Sequence, residues 1–232
     1  MNWKNKRIII TGGSSGIGKQ LIAELSQLGA RISFCGLESV KVQEVAKDNS
    51  VNGCVADLRE EVQLQSFFEK SITYLGGLDI LINNAGYVIA ESFEDLKRSD
   101  FETMFALNAI APARMAQLAI PHFKKQNFGD IVNIGATGGY YAFDKGTAYS
   151  ASKSALSIIS KNLNLEFRKH QIRTFHVDPS WCTDTHNNNY GGHIPANPEQ
   201  LNPSDITHLI IEILKMDRRG FVPQMSIWGT QP

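Results

Sequence analysis

The sequence predicts an α/β protein: a doubly wound, mostly parallel sheet of seven strands with helices on both faces. Two observations predict this fold. Short apolar runs of strand length alternate with stretches of helical periodicity along the chain. The runs are apolar at successive positions, as is typical of strands that are buried on both faces. A chain of 232 residues with 42% hydrophobic content can bury one large core, so we expect a single domain over residues 1–232.

Seven apolar runs mark the expected strands. They lie at 7–10, 31–35, 53–56, 78–83, 130–134, 173–177 and 220–225. Helical patterns fill the intervals, as where Ile17, Leu21, Leu25 and Leu28 recur at spacings of four, four and three and form one apolar stripe. This alternation predicts parallel pairing, with a ligand site outside the carboxyl ends of the strands.

One segment departs from this alternation. Residues 185–205 are rich in Asn, Gly and Pro, a composition that predicts irregular structure. A loop of this length inside a domain is usually functional, so we expect a lid over the substrate. The segment contains His186 and His193, but no third ligand accompanies them, and we predict no metal site.

Composition excludes several classes of partner. Lys plus Arg and Asp plus Glu number 23 each, so no long-range field favours nucleic acid or an anionic membrane. The three cysteines are far apart and read as reduced thiols. The N-terminal residues are too weakly apolar for a signal peptide or membrane span. We therefore expect a cytoplasmic protein that binds a small molecule.

A glycine-rich turn, TGGSSGIG at 11–18, follows the first strand and opens the first helix. Gly12 would allow the tight turn, Gly16 the approach of a pyrophosphate and Gly18 the contact of helix with sheet. The helix N-terminus would then face the phosphates. The same letters also fit G-x-S-x-G through Ser14, the nucleophile turn of a hydrolase. We rank the hydrolase low, because an elbow on the first strand leaves no earlier loop for a second oxyanion donor.

Four motifs in order and spacing extend this reading: TGGSSGIG, NNAG at 83–86, Asn108, and YSASK at 149–153. With them the chain resembles the short-chain dehydrogenase/reductase family over nearly its whole length. The resemblance implies a Rossmann-like fold, a nicotinamide cofactor, and hydride transfer between the cofactor and a small carbonyl or alcohol substrate. It also implies a homodimer or homotetramer, formed through long helices at about 100–120 and 150–169.

The resemblance assigns catalytic roles to three residues. Tyr149 is the implied proton donor or acceptor, Lys153 holds the nicotinamide ribose, and Asn108 holds a water for a proton relay. Tyr149 and Lys153 are four positions apart and would share one helix face. A Lys cation beside a phenol should favour the phenolate and lower the pKa of the tyrosine toward working pH.

The chain lacks the family's catalytic serine. Thirteen residues before Tyr149 stands Ala136, while Asn133 and Gly139 keep the expected frame. Loss of one such hydrogen-bond donor lowers turnover by roughly 100- to 1,000-fold. Thr137 supplies a hydroxyl if the chain bends there. Tyr140 and Tyr141 could also reach into the site. We favour an active oxidoreductase, either rescued by Thr137 or a tyrosine or slow; the rival is a nucleotide-binding sensor or interaction protein with little turnover.

The second strand ends at Gly36 and Leu37, without the acid that would repel the extra phosphate of NADP. We predict NADP, with NAD possible, since Glu38 and Lys41 could tip the choice either way. Thr183 is chosen over Thr185 as a further contact. The implied cofactor-binding residues are Gly12, Ser14, Ser15, Gly16, Ile17, Gly18, Gly36, Leu37, Asp57, Leu58, Asn84, Ala85, Gly86, Tyr149, Lys153, Pro179, Ser180 and Thr183.

Overall fold

The fold was obtained as a computed structural model, which describes residues 2–187, 192–193 and 195–230. Its strands are β1 (Arg7–Ile10), β2 (Arg31–Gly36), β3 (Asn52–Val55), β4 (Ile80–Asn83), β5 (Gly129–Ile134), β6 (Ile172–Pro179), β7 (His186–Asn187), β8 (Gly192–His193) and β9 (Gln224–Ile227). Seven of them form one sheet in the order β3-β2-β1-β4-β5-β6-β9. Every neighbouring pair in this sheet is parallel. The predicted seven-stranded parallel sheet is confirmed.

In the part of the chain that the structure describes, seven α-helices cover the two faces of the sheet. They are α1 (Gly16–Gln27), α2 (Ser39–Asn49), α3 (Glu61–Leu75), α4 (Arg98–Phe105), α5 (Ala111–Gln126), α6 (Thr147–Phe167) and α7 (Pro203–Lys215). A π-helical turn, Ala106–Ile110, joins α4 to α5, and a 3₁₀ turn, Thr137–Gly139, follows β5. Two hydrophobic clusters result: one includes apolar side chains of α1, α2 and α7, and the other those of α3 and α5. Helices therefore pack on both sides, as expected.

The last strand begins later than its apolar run predicts. The run starts at residue 220, but β9 starts at Gln224 and pairs with β6 from His176 onward. Pro223 precedes it and has no N–H to donate to the ladder, although its carbonyl accepts a hydrogen bond from His176 N at 2.9 Å. The proline thus sets the start of the strand.

The expected irregular segment at 185–205 is partly regular, so that expectation is wrong at two places. Helix α7 begins at Pro203, because Asn202 caps it and accepts a hydrogen bond from Ser204 N at 3.0 Å. Asp205 completes the capping box. Near the other end, β7 and β8 form a short antiparallel pair. Residues 188–191 and 194 of the segment lie outside the described part of the chain.

The topology brings the sequence motifs together. The chain turns to one side of β1 for β2 and β3 and to the other for β4, β5 and β6, so β1 and β4 flank the switch point. The glycine turn, the NNAG motif and the Gly135–Ala136 pair each follow one of these central strands. They therefore meet at the carboxyl edge of the sheet. Within the described residues, no helix is long and apolar enough to span a bilayer.

Candidate active site

The glycine turn lies against the first residues of the loop that follows β4. Gly12 and Gly16 have positive φ angles of 64° and 51°, which favour glycine. A Cβ atom at Gly12 would lie 2.8 Å from Ala85 Cα, and one at Gly18 would lie 2.5 Å from Asn84 Nδ2. Both positions therefore exclude a side chain. Ser15 is the N-cap of α1, and its own side chain makes no capping hydrogen bond among the described residues. The first amides of α1 are left available for a ligand.

Thr11 and Asn84 hold this turn in place. Thr11 Oγ1 accepts hydrogen bonds from Asn84 N and Ala85 N, both at 3.0 Å. Asn84 Nδ2 donates to Thr11 O at 3.0 Å and to Gly12 O at 2.9 Å. Both amide protons of Asn84 are thus used on the turn, so its side chain holds the turn from behind. Thr11 was not among the predicted site residues. The sequence feature that could have indicated it is a hydroxyl side chain directly before the two glycines.

Tyr149 and Lys153 project from one face of α6, as their spacing predicts. Lys153 is only 4% exposed, and its Nζ donates a hydrogen bond to Ile134 O at 2.8 Å. The same Nζ lies 5.9 Å from the centre of the Tyr149 ring. A Cβ atom at Gly86 would lie 3.5 Å from Lys153 Nζ. The ends of β4 and β5 and the face of α6 therefore converge on this amine.

The pKa of Tyr149 shifts in the direction opposite to the one expected from the neighbouring lysine. Burial raises the pKa of the Tyr149 phenol, and the negative charge of Asp178 raises it further. Burial lowers the pKa of Lys153 to about 8, although Asp178 opposes this shift. The expected lowering of the Tyr149 pKa is wrong for the protein alone, because the net shift is upward. Burial sets the direction of both shifts, and the sequence does not reveal burial.

Asn108 lies in the middle of the π-helical turn and is fully buried. Its Oδ1 accepts a hydrogen bond from Tyr87 N at 2.8 Å, and its Nδ2 donates to Tyr87 O at 2.8 Å and to Ser152 Oγ at 2.9 Å. Ser152 Oγ in turn donates to Tyr149 O at 2.7 Å. Asn108 thus ties the loop after β4 to α6, and its side chain has no proton left to donate to a water. Ser152 was missed; it lies between the tyrosine and the lysine of the motif.

The chain bends at the position of the missing serine. Ala136 is extended, and its N–H donates to Asp178 Oδ1 at 3.1 Å. Thr137 then begins the 3₁₀ turn and is 9% exposed. Its carbonyl accepts hydrogen bonds from Tyr140 N and Tyr141 N at 3.1 and 2.9 Å. The bend that Thr137 would need in order to replace the serine is therefore present, and the replacement itself stays a prediction.

The two candidate threonines after β6, Thr183 and Thr185, have different surroundings. Thr183 is 2% exposed, and its Oγ1 donates to Leu201 O at 3.1 Å and accepts from Asn197 N at 3.3 Å. Its hydroxyl fastens the segment to the chain that leads into α7. Thr185 instead contacts the glycine turn, since a Cβ atom at Gly16 would lie 3.4 Å from its Cγ2. The structure brings Thr185, the competing residue, to the glycine turn.

Pro179 and Ser180 lie at the end of β6. Pro179 is its last residue, and it pairs with Ile227 of β9. Ser180 N donates to Ile227 O at 2.9 Å, and its Oγ accepts from Gly229 N at 3.1 Å. Both residues are thus bound into the sheet edge beside the site.

The ends of β2 and β3 contain a tight contact and two ion pairs. A Cβ atom at Gly36 would lie 2.5 Å from Ser14 Oγ, so glycine is required there. Lys41 Nζ pairs with the carboxylate of Glu38 at 2.7 Å, and Leu37 is exposed. Three other predicted contact residues interact with the protein itself. The Asp57 carboxylate pairs with Arg59 at 2.6 Å, and this hydrogen-bonded cation lowers the pKa of Asp57. Ile17 packs against the first hydrophobic cluster, and Leu58 belongs to the second.

Comparison with known proteins supplies a family. A family profile described as short chain dehydrogenase matches residues 6–192. An uncharacterized oxidoreductase of Thermotoga maritima is 29% identical over 223 residues, covering 95% of this chain and 86% of the relative. One of Staphylococcus aureus is 26% identical over 226 residues, covering 96% of each. The structure of a short chain dehydrogenase from Burkholderia cenocepacia in complex with NADP has a TM-score of 0.88 at 24% identity, covering 99% of this chain and 98% of that one.

Proposed function

The chain belongs to the short-chain dehydrogenase family, and from this premise we propose that it reduces a small carbonyl compound by hydride transfer from NADPH. The observation that carries the proposal is the convergence of Tyr149 and the buried amine of Lys153 at the sheet edge that also presents the glycine turn. Catalysis by such a site depends chiefly on placing a hydride donor and a proton donor on one substrate. We further propose a cytoplasmic, single-domain protein.

The residues present fit a dinucleotide. The uncapped start of α1 would receive the pyrophosphate. Gly12 and Gly18 let the turn pack closely behind it, because a Cβ atom at either position would collide with Ala85 or with Asn84. Lys153 would hold the hydroxyls of the nicotinamide ribose. The bound nicotinamide supplies the hydride. NADP is proposed over NAD because the segment after β2 presents Gly36 and Leu37 in place of an acid, and the nearby Glu38 is already paired with Lys41.

The raised pKa of Tyr149 supports reduction as the working direction. A phenol that stays protonated at neutral pH is ready to donate its proton to a carbonyl oxygen as that oxygen gains charge. The Lys153 ammonium then stabilises the phenolate that remains, since an opposite charge nearby favours the ionised form. Alcohol oxidation would instead require Tyr149 to start as a phenolate, which burial disfavours.

Aromatic side chains at the mouth of the site favour a flat, apolar substrate. The Phe143 ring lies 6.2 Å from the Tyr149 ring, centre to centre. Farther out, Tyr141 and Trp228 are 59% and 53% exposed, and their rings are 5.4 Å apart. Exposed aromatic rings grouped beside a reactive residue are typical of a ligand surface. We therefore propose a substrate whose carbonyl is attached to an aromatic or planar apolar body.

The decisive experiment separates binding from turnover. Fluorescence titration with NADPH and with NADH should show binding, with NADPH the tighter ligand. NADPH consumption against aromatic and aliphatic carbonyls, in the parent and in Tyr149→Phe, should then fall by about 100- to 10,000-fold in the variant. The control is the NADPH dissociation constant of Tyr149→Phe, which should match the parent's.

A nucleotide-binding sensor is the second candidate, favoured by the absence of a hydroxyl at Ala136. It would bind NADPH but consume none with any carbonyl in either protein. Absence of nucleotide binding would contradict both candidates.

A further inference from the structure

A buried polar chain lies beneath the candidate site. Asp178 and His176 of β6 are 1% and 2% exposed. His176 Nε2 lies 3.0 Å from Asp178 Oδ1, and its Nδ1 lies 3.1 Å from Ser160 Oγ of α6. Ser160 Oγ also accepts a hydrogen bond from Asn133 Nδ2 of β5 at 2.8 Å. Ser160 Oγ also donates its one proton to Leu156 O at 2.8 Å. This chain links β5, β6 and α6.

The pair occupies the volume that a side chain at Gly135 would need. A Cβ atom there would lie 2.8 Å from His176 Cε1, and closer still to His176 Nε2 and Asp178 Oδ1. Both carboxylate oxygens of Asp178 are also used elsewhere: Oδ1 accepts from Ala136 N at 3.1 Å, and Oδ2 accepts from Gln224 Nε2 at 2.9 Å. The absence of a side chain at Gly135 therefore leaves the space that His176 and Asp178 occupy. Its lack of a side chain is a packing requirement of this site.

Asp178 is also the charge that acts on the two catalytic candidates. Its direct partners are His176 on its own strand, Gln224 from β9 and the Ala136 amide after β5. Lys153 Nζ is bound to Ile134 O, two residues before Ala136, so the amine is held by the same short segment as the carboxylate. No Lys or Arg forms a salt bridge with this carboxylate in the described part of the chain. Its negative charge raises the pKa of Lys153 against the effect of burial and raises the pKa of Tyr149.

We propose that Asp178, braced by His176, is a positioning residue that supports this active site from beneath Ala136. It fixes the backbone at 135–136 through the Ala136 amide, and its charge favours the ammonium form of Lys153 and the protonated form of Tyr149. The catalytic part of this inference rests on the proposed function. The effect of Asp178 on the protonation of Lys153 does not depend on turnover. It can therefore be tested separately.

The test is Asp178→Asn, which keeps the shape and an acceptor for the Ala136 amide and removes the charge. The Gln224 side chain can flip to meet the new amide. The ¹³Cε resonance of Lys153, assigned with Lys153→Arg, reports the lysine titration by NMR. We expect its midpoint, about 8 in the parent, to fall by about one pH unit in the variant. In carbonyl reduction, the alkaline limb of the pH profile should move to lower pH with it. A merely structural role would lower turnover without moving either midpoint.

The outcomes separate the two proposals. If the parent consumes NADPH with no carbonyl, the proposed function fails, while the NMR titration still decides on Asp178. An unchanged Lys153 midpoint in Asp178→Asn overturns the inference even if the enzyme is active. If Asp178→Asn does not fold, Asp178→Ser gives the same measurement with a smaller neutral group. Failure of both to fold would make the charge a folding requirement and would equally overturn its assignment to the site.

Discussion

Tyr149 and Lys153 show what can be predicted at the scale of single residues. Their spacing alone predicts a shared helix face, and the structure has both on α6. The sign of the pKa shift at Tyr149 could not be predicted, because it depends on burial and on Asp178, which is 29 positions away in sequence. His176 and Asp178 were missed for the same reason, since nothing local indicates that they pack against Gly135.

Lys153 should oppose stability while supporting activity. Its folded pKa, about 8, lies below its ordinary 10.5, so the unfolded chain binds this proton more strongly. The free energy of unfolding should therefore be lowest below pH 8 and should rise as the pH goes from about 8 to 10.5. Carbonyl reduction should show the opposite trend and fall as the pH passes 8.

Lys153→Met tests this conflict. Removing the buried charge should stabilise the fold at pH 7 by about 1–2 kcal/mol, less the loss of the bond to Ile134 O, while carbonyl reduction is lost. Thermal unfolding of parent and variant at pH 7 and pH 10 measures the effect, and the gain should shrink at the higher pH. The exposed Lys70, in the middle of α3, provides the control Lys70→Met, which should change neither quantity. Equal stability changes in the two variants would contradict the prediction.

At the scale of elements, the strands were predictable because a parallel strand that is buried on both faces has a continuous run of apolar residues in its sequence. The boundaries that differ are those set by single residues: Pro223 delays β9, and Asn202 starts α7 inside a segment whose composition resembles a loop. The π-helical turn that holds Asn108 gave no sequence signal that we recognised. The positions of motifs on elements were thus predictable, and the hydrogen bonds that bind one element to another were not.

The junction of β1 with α1 should depend on Gly18. A methyl group there would meet Asn84 Nδ2 and the carbonyl of Gly12, both of which shape the turn. We expect Gly18→Ala to weaken NADPH binding at least tenfold while the protein stays folded. Titration by fluorescence and far-UV circular dichroism measure the two properties. Gly220→Ala is the matched control, since no atom would lie within 4 Å of its Cβ, and it should bind NADPH like the parent. Parent-like binding by Gly18→Ala would argue against a pyrophosphate on this turn.

At the scale of the whole molecule, one surface of α6 is unusually apolar. Ile158 and Leu165, seven positions apart on the helix, are 57% and 71% exposed, and Ile110 of the neighbouring π-helical turn is 56% exposed. Side chains seven apart lie on the same helix face. Such a surface is costly in water unless a second copy covers it. It supports the proposed homodimer or homotetramer through α5 and α6.

Two charges on that face should dissociate the assembly. The parent should have a mass two or four times the chain's 25.7 kDa by light scattering after size exclusion. Ile158→Glu/Leu165→Glu should have a lower mass, reaching 25.7 kDa if this is the only interface. Val62→Lys is the control, because Val62 is 80% exposed on α3, and it should leave the mass unchanged. Since Tyr149 and Lys153 lie on the same helix, the dissociated variant should also lose part of its reductase activity while still binding NADPH. A parent that runs as a monomer, or a double variant with the parent's mass, would show that this face does not join copies of the chain.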